Sequence, residues 1–451
     1  MSILSGKVLM KVLLKLWEIS ELTSPKLFMV DVYVATNPRH EKKVINGNIA
    51  DYDGVSLYPS AINRLCRDIG LPTGKAIRLT PEDDWKTKVY SILTVRITKV
   101  NKHQQMPFIA HKGGVSIEYS NEAPAGEIVI DSITLEDYIK FHEIEYEIVD
   151  GIYWIGGTNG KLGELVQKLF AARLEFKKTN PTLANVIKLM LNSGYGKTIM
   201  KKGKTEIKIV NTSTKVKDKK TGTWVAKPNV DFESYVYNNF NTIKSYRKLN
   251  EVNYDVTKIC ADVSYNRGHV GCAVLSMSER IMNEVFDVAN DNGYNIYYTD
   301  TDSMHCDVDD IAGLETKYRE RYGKELTGKQ LEQFHTDFNL AGACGEIFAV
   351  KSIFLGKKCY YDKLQSVDSN GDTIYGTHYR LKGVTDEGIK HAARRMGGVE
   401  NLYEILAGGE AVEFVLNPYD TVETKQKVRF VYTDGEVSFR ENGQFKRRVQ
   451  F

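Results

Sequence analysis

An acidic turn between two short strand-like segments constrains the fold of this chain more than any other feature. Residues 294–299 have the aromatic and β-branched composition of a strand, Asp300-Thr301-Asp302 follows, and a return strand runs through Met304 and Cys306. Two carboxylates this close repel each other unless a cation neutralises them, and their hard oxygens suit Mg²⁺. The pattern predicts an antiparallel hairpin with a cation site at its tip, although an exposed acidic turn without a ligand fits it equally well.

A second carboxylate stands at the end of another predicted strand. Asp53 begins the segment Asp53-Gly54-Val55-Ser56-Leu57-Tyr58-Pro59-Ser60. Asp53 is therefore a second candidate cation ligand. An Asp before a Gly is also a common turn former, so this segment alone leaves both readings open.

A third segment, residues 188–196, is predicted to be helical. Lys188, Asn192 and Tyr195 are spaced i, i+4 and i+7, so a cation, an amide and an aromatic ring share one helix face and can contact one ligand. A helix end capped by Gly196, with Lys188 a solvated surface charge, is the simpler alternative.

Two further cations, Arg173 and Lys177, are four residues apart on the preceding predicted helix. Like charges at this spacing repel on an isolated helix, so a shared phosphate partner would explain the pair. Two solvated surface charges would fit as well.

The remaining pattern interleaves helices and strands and predicts an α+β fold with an antiparallel sheet. Pro59 is expected to end the strand that carries Asp53. The other predicted elements are an amphipathic N-terminal helix around residues 7–17, a helix at 61–69, strands at 90–100 and 126–133, helices at 162–176 and 182–195 separated by Asn180-Pro181, a β-hairpin around 218–222 within residues 202–262, and a helix at 268–289.

Composition excludes several classes of protein. The six cysteines stand far apart without a C-x-x-C pair, which argues against a zinc site or a disulfide framework and for a reduced intracellular setting. No apolar run is long enough to span a membrane, so a cytoplasmic protein is expected. Net charge is only +3 over 451 residues, but residues 201–220 and the C-terminal tail are rich in lysine and arginine. Such stretches can neutralise phosphates, although a solvated charged face fits them equally well.

Together the three segments resemble the polymerase motifs of family B DNA polymerases. They match D-x-x-S-L-Y-P-S, K-x-x-x-N-S-x-Y-G and Y-x-D-T-D-S in the family's order. Lys358-Cys359-Tyr360 is similar to the family's K-x-Y primer-strand motif, and Leu381-Lys382-Gly383-Val384 to an element that opens its thumb. The resemblance covers about residues 49–385 and is greatest to the small protein-primed polymerases of phages and mobile elements.

The resemblance implies a role for each matching residue. Asp53, Asp300 and Asp302 would be catalytic, and Asp53, Asp302 and the Gly54 carbonyl would bind two Mg²⁺ ions, for which Mn²⁺ is expected to substitute. The ring of Tyr58 would exclude a 2′-hydroxyl. Nucleotide contacts are expected from Ser56, Leu57, Tyr58, Arg173, Lys177, Lys188, Asn192 and Tyr195, and DNA or primer contacts from Gly196, Thr301, Ser303, Lys358, Tyr360 and Lys382.

The resemblance also implies a right-hand polymerase with an antiparallel palm sheet, helical fingers, a thumb and inserted subdomains. The expected division is an N-terminal remnant at 1–48, a palm at 49–70 and 263–362, an inserted region at 71–160 that contacts a priming terminal protein, fingers at 161–200, a second insertion at 201–262, and a thumb at 363–451. Only 52 residues precede Asp53, without a D-x-E pair, so we expect no 3′–5′ exonuclease in this chain.

The implied partners are a DNA template-primer, deoxynucleoside triphosphates, a priming terminal protein and a separate exonuclease subunit, with no membrane. Three competing interpretations remain. An inactive DNA-binding scaffold would be expected to have lost a metal ligand first. A two-metal nuclease explains the carboxylates, but Lys188, Asn192 and Tyr195 would have no role in it. The third interpretation is RNA-templated synthesis. It is disfavoured because reverse transcriptases typically carry Y-x-D-D, whereas this chain has Tyr298-Thr299-Asp300-Thr301-Asp302-Ser303.

Overall fold

The structure, a computed structural model, describes residues 34–113, 116–157, 160–199, 205–217, 221–239, 243–259, 267–415, 427–433, 436–441 and 444–450. The chain divides into two compact units. Of the described residues, 193–199, 205–217, 221–239, 243–259 and 267–271 belong to the small unit, and the others belong to the large unit. The N-terminal helix predicted around residues 7–17 lies outside the described residues.

The strands of the described residues are, in chain order, β1 Val34–Thr36, β2 Val44–Gly54, β3 Ile77–Arg78, β4 Tyr90–Val100, β5 Ile109–Gly113, β6 Ser116–Ser120, β7 Glu127–Asp131, β8 Ile144–Trp154, β9 Thr205–Asn211, β10 Ser213–Lys217, β11 Trp224–Pro228, β12 Ile243–Lys248, β13 Asn253–Ile259, β14 Ile296–Asp300, β15 Ser303–Asp307, β16 Phe334–Thr336, β17 Phe348–Gly356, β18 Cys359–Val367, β19 Thr373–Leu381, β20 Val412–Val415, β21 Lys427–Thr433, β22 Glu436–Glu441 and β23 Gln444–Gln450.

The α-helices of the described residues are α1 Leu57–Asp68, α2 Ser132–His142, α3 Gly160–Thr179, α4 Pro181–Thr198, α5 Phe232–Asn238, α6 Gly268–Asn292, α7 Ile311–Tyr322, α8 Asp386–Arg395 and α9 Val399–Ala407. Among these described helices, none is long and apolar enough to cross a membrane.

The main sheet of the large unit has eight strands in the order β1-β14-β15-β2-β17-β18-β19, with β16 paired to β2. Every pairing in it is antiparallel, as the sequence predicts. Because side chains alternate along a strand, β17 buries residues on both faces. Phe354 packs in one core cluster with Tyr298 and Ile49, and Ile353 packs in another with helices α8 and α9. The strands β1 and β19 lie outside the residues expected for the palm.

Residues 71–157 form a second layer built on the four-stranded sheet β3-β8-β4-β7. Helix α2 follows β7 directly, because the Asp131 carboxylate accepts a hydrogen bond from the Thr134 amide at 2.8 Å and so caps the helix N-terminus. The predicted strand at 126–133 is therefore wrong at its end, where Ile133 is helical. Strand β4 at Tyr90–Val100 is confirmed.

Helix α1 begins earlier than expected. Pro59 does not end the preceding strand as predicted but lies in the first turn of α1, where the N–H that proline lacks has no helical partner anyway. The predicted helix at 61–69 therefore starts at Leu57. Helices α3 and α4 meet at Asn180 and confirm the predicted helical hairpin.

In the small unit, β12-β13-β9 form a three-stranded antiparallel sheet, and β10 and β11 pair as the predicted hairpin. Helix α5 was not predicted. Its Phe232 ring stacks on Tyr254 of β13, with ring centroids 3.6 Å apart. In the described residues after β19, helices α8 and α9 are followed by the four-stranded sheet β20-β21-β22-β23.

Candidate active site

Strand pairing places Asp53 beside the acidic turn. In the antiparallel pair of β2 and β15, Asp53 stands opposite Ser303. The Gly54 amide donates a hydrogen bond to the Asp302 carbonyl at 2.6 Å, which fixes the two chain segments against each other. A Cβ at position 54 would lie 3.2 Å from that oxygen and 3.7 Å from the Asp302 Cβ, so glycine permits the close approach. Asp53 and Asp302 therefore lie at the same end of the sheet.

The acidic turn has a strained but well-bonded backbone. Thr301 adopts a left-handed conformation with φ 71°, which is uncommon for a β-branched residue, and the Asp302 amide donates to the Asp300 carbonyl at 2.8 Å. Lys358, in the turn between β17 and β18, forms an ion pair with the Asp300 carboxylate at 2.6 Å. The turn therefore directs Asp302 toward Asp53 while Asp300 is bound by a lysine.

The electrostatics of the site favour a cation. Burial raises the pKa of the Asp53 carboxyl, and the negative charges of Asp302, Asp337 and Asp51 raise it further, whereas Lys188 lowers it. Burial also raises the pKa of Asp302, with Asp300 as the next cause. A bound divalent cation would relieve this repulsion. The effect of Lys188 also places its ammonium group near Asp53.

Two residues that the sequence analysis missed complete the cluster. His335 of β16 pairs directly with Asp53 of β2, and Asp337 follows two residues later. Ligand atoms of Asp53, His335 and Asp337 all lie within 4.8 Å of one another. Carboxylate oxygens and an imidazole nitrogen are suitable ligands for divalent ions, so the donors present fit a metal ion. The alternation His335-x-Asp337 resembles Asp300-x-Asp302, but only the pairing of β16 with β2 shows its importance.

The residues predicted to contact the nucleotide lie on α1, α3 and α4. Ser56 precedes α1 in a left-handed conformation with φ 52°, and its hydroxyl oxygen accepts a hydrogen bond from the Arg173 guanidinium at 2.6 Å. Tyr58 is half-buried in the first turn of α1, whereas the Leu57 side chain is buried in the core. Arg173 is thus anchored to the segment that carries Asp53.

The other predicted nucleotide contacts differ in exposure. Lys177 on α3 and Lys188 and Asn192 on α4 are exposed, as nucleotide contacts need to be. Tyr195 is buried, with 6% of its surface exposed, and belongs to the part of α4 in the small unit. Gly196 follows it in the same helix, and a Cβ there would meet nothing within 4 Å.

The predicted primer contacts form one connected group. The Lys358 amide donates to the Tyr298 hydroxyl at 2.8 Å, and the Lys382 amide donates to the Lys358 carbonyl at 3.0 Å. Tyr360 is 8% exposed, and its ring packs 5.2 Å from that of Tyr298. These contacts link the K-x-Y turn to strand β14. Thr301 and Ser303 flank Asp302 in the acidic turn.

A buried charge cluster lies behind the carboxylates. His305 is flanked by Asp51 and Asp362, each 3.5 Å from one of its ring nitrogens. Burial lowers the pKa of His305, but the two carboxylates outweigh it and raise that pKa to about 9. The Ser352 hydroxyl donates to Asp362 at 2.6 Å. His305 is therefore cationic at neutral pH.

The fold has known relatives. Phi29 DNA polymerase complexed with primer-template DNA and incoming nucleotide substrates matches with a TM-score of 0.52 and 16% identity, over 92% of this chain and 61% of that one. The same enzyme in an orthorhombic crystal form matches with a TM-score of 0.51 and 17% identity, over 79% and 54%. These likenesses show a right-hand polymerase fold and confirm the predicted fold class.

The chain belongs to the family of DNA polymerases type B, organellar and viral, which it matches over residues 34–304. This confirms the family inferred from the three motifs. Members of family B generally use divalent metal ions, in agreement with the donors found around Asp53. The chain spans 54% and 61% of the length of the two phi29 structures, less than two thirds in each case. A comparison with curated proteins finds no match.

Proposed function

We propose that this chain is a template-directed DNA polymerase that adds deoxynucleotides to a 3′-hydroxyl. The observation that carries the proposal is the pairing of β2 with β15, which brings Asp53 against Asp302 at the tip of the hairpin. Family membership supports it, because the matched residues include Asp53, Asp300 and Asp302.

Asp53, Asp302 and the Gly54 carbonyl would hold two Mg²⁺ ions, and Mn²⁺ would substitute for them. Bound ions of this kind lower the pKa of an attacking hydroxyl and neutralise phosphate charge. The chain's own groups position the reactants. Lys188 supplies positive charge close to Asp53, and Arg173, anchored by Ser56, supplies a second cation for the triphosphate.

Lys358 links primer binding to the acidic turn. Its ion pair with Asp300 places one ammonium group between the turn and the strand that carries Tyr360. A primer phosphate approaching this turn would meet Lys358 and Lys382. DNA would be held mainly through its phosphates, so binding is expected to weaken with salt and to show little sequence preference.

The proposed partners are a DNA template-primer and deoxynucleoside triphosphates. The phi29 structure with primer-template DNA and incoming nucleotide substrates supports both by analogy. A priming terminal protein that contacts the β3-β8-β4-β7 region and an exonuclease carried by a separate chain are further proposals, supported by the motif resemblance alone.

Primer extension tests the function. With Mg²⁺, annealed primer-template and each deoxynucleotide, the chain should extend the primer, and Asp302→Ala should abolish extension while leaving DNA binding nearly unchanged. Asp309→Ala is the matched control, because Asp309 is exposed and lies outside the site. Full extension by Asp302→Ala would exclude the assigned role.

A nuclease alternative is tested in the same reactions. A nuclease would shorten the primer with or without nucleotides, whereas a polymerase lengthens it only when the complementary nucleotide is present. Labelled nucleotide supplied without an oligonucleotide primer would show whether the chain starts synthesis on another molecule.

A further inference from the structure

Strand β16 places two ligand-type side chains on the edge of β2 opposite β15. Ser303 of β15 pairs with Asp53 from one side, and His335 of β16 pairs with it from the other. Directly paired residues project from the same face of a sheet, so His335 and Asp53 lie on one face. Asp337 comes two residues after His335, and its amide donates to the Asp51 carbonyl at 3.0 Å, which continues the pairing. The backbone thus holds these side chains together before any ligand binds.

One hydrogen bond orients the imidazole of His335. Its Nδ1 lies 3.1 Å from the Asp53 carbonyl oxygen. A carbonyl can only accept, so Nδ1 carries the proton and the lone pair of a neutral ring is on Nε2. Metal-binding histidines commonly have one nitrogen fixed in this way to a backbone carbonyl, which leaves the other nitrogen to bind the ion.

Asp337 contributes charge independently of this geometry. It is among the groups that raise the pKa of both Asp53 and Asp302. Its carboxylate therefore lies in the electric field of both predicted metal ligands, although it comes from a different strand. Ligand atoms of Asp53, His335 and Asp337 lie within 4.8 Å of one another, close enough for one ion to contact all three.

We propose that Asp53, His335 and Asp337 form a binding site for a divalent transition-metal ion, with His335 supplying a nitrogen ligand. Imidazole suits transition metals, whereas Mg²⁺ favours oxygen ligands and retains its water molecules. The nitrogen ligand should raise the affinity of this position for transition metals relative to its affinity for Mg²⁺. The inference shares Asp53 with the proposed function and rests on it in that respect.

Mn²⁺ is a suitable probe because it is paramagnetic. The full chain would be titrated with MnCl₂ alone, and free Mn²⁺ would be followed by electron paramagnetic resonance. Electron spin-echo modulation of the bound ion would then report whether a ¹⁴N nucleus is directly coordinated. We expect nitrogen modulation in the natural protein. Bound Mn²⁺ without nitrogen modulation would overturn the proposal. This measurement is made on the natural protein, so it does not depend on whether a variant folds.

Variants assign the nitrogen. His335→Gln should remove the modulation and weaken Mn²⁺ binding by about tenfold or more, the scale of loss known even for partners of metal ligands. Mg²⁺ affinity, measured by competition, should change much less, so the preference for Mn²⁺ over Mg²⁺ falls. Asp337→Asn should weaken Mn²⁺ binding while retaining the modulation. Retention of full modulation in His335→Gln would refute the assignment.

Controls separate this inference from the proposed function. His103→Gln removes an exposed histidine elsewhere in the large unit and should leave the modulation unchanged. Asp302→Asn should abolish primer extension but retain the nitrogen-coordinated ion, because Asp302 is outside the three-residue cluster. If extension fails in the natural protein while the modulation is present, the function is wrong and the metal site is correct. If the natural protein extends the primer but bound Mn²⁺ shows no nitrogen modulation, the proposed function is correct and the metal site is wrong.

Discussion

Helices α1 and α6 are joined by a buried ion pair between Arg64 and Glu284. Arg64 donates two hydrogen bonds to the Glu284 carboxylate, at 2.9 and 2.6 Å. The two side chains are 10% and 4% exposed. Helix α1 starts just after Asp53 and α6 ends just before β14, so this pair connects the elements that lead to Asp53 and Asp302.

The structure predicts different costs for removing the two partners. Arg64→Met leaves the Glu284 carboxylate buried without its guanidinium partner, although the Tyr318 hydroxyl still donates to it at 3.4 Å, and should cost about 3–5 kcal/mol of unfolding free energy. Glu284→Gln should cost less, about 1–3 kcal/mol, because Arg64 keeps Asp68 at 3.5 Å and the amide can still accept one hydrogen bond. The apolar double variant Arg64→Met/Glu284→Leu should recover much of the loss, since no charge remains buried unpaired.

Urea denaturation measures these costs, with amide exchange of α1 and α6 peptides reporting the local effect. Exchange avoids the assumption that a chain of two compact units unfolds in one step. Lys317→Met is the matched control, because it breaks an exposed i,i+3 pair with Glu320 and should change stability by less than about 1 kcal/mol. Equal destabilisation by Glu284→Gln and Arg64→Met, or a double variant less stable than both single variants, would contradict the predicted role of the buried charges.

Two further predictions concern acid stability and sugar selection. Burial lowers the pKa of His142 to about 4, below its ordinary value of 6.5, so the unfolded chain binds a proton first as the pH falls and stability is lost between about pH 6.5 and 4. Urea denaturation should show His142 contributing about 2 kcal/mol to the loss between pH 7 and pH 5, and His142→Gln should remove that part. An unchanged pH dependence in His142→Gln would contradict the assignment. Tyr58→Val should admit ribonucleotides, measured as the ratio of ribonucleotide to deoxynucleotide incorporation, and an unaltered ratio would remove Tyr58 from sugar selection.

The hairpin and the helices were predictable because their signals are local. The composition of residues 294–306 with Asp300-Thr301-Asp302 between two apolar segments predicts β14, the turn and β15, and the i,i+4 periodicity predicts α3, α4 and α6. The identity of the motifs added what periodicity cannot supply, namely that Asp53 and Asp302 belong to one site. The boundary at Pro59 was wrong because proline both ends strands and begins helices, and the choice depends on how the first turn packs.

Strand β16, which pairs with β2 at Asp53, was not predictable from local sequence. Strand β16 has three residues, and nothing in Phe334–Thr336 distinguishes it from a loop. His335 became important only because β16 pairs with the C-terminal half of β2, while β17 pairs with its N-terminal half. Long-range pairing of this kind is a property of the sheet. The ion pair of Lys358 with Asp300 has the same origin, since β17 and β18 bring that turn beside the acidic one.

The charges on the face that carries Asp53 explain why the site tolerates so many carboxylates. Asp51 and Asp53 are two residues apart on β2 and therefore project from the same face of the sheet. Ser303 and His305 of β15 are spaced in the same way and pair with them. His305 pairs with Asp51, two residues before Asp53, and its positive charge neutralises part of the charge of Asp51 and Asp362. Lys358 does the same for Asp300. Asp53, Asp302 and Asp337 remain at the open end with the charge least compensated by the protein. The protein supplies positive charge at this end from Lys188, which acts on Asp53, and from Lys358, which acts on Asp302. A bound metal ion would add to this compensation and should therefore stabilise the fold.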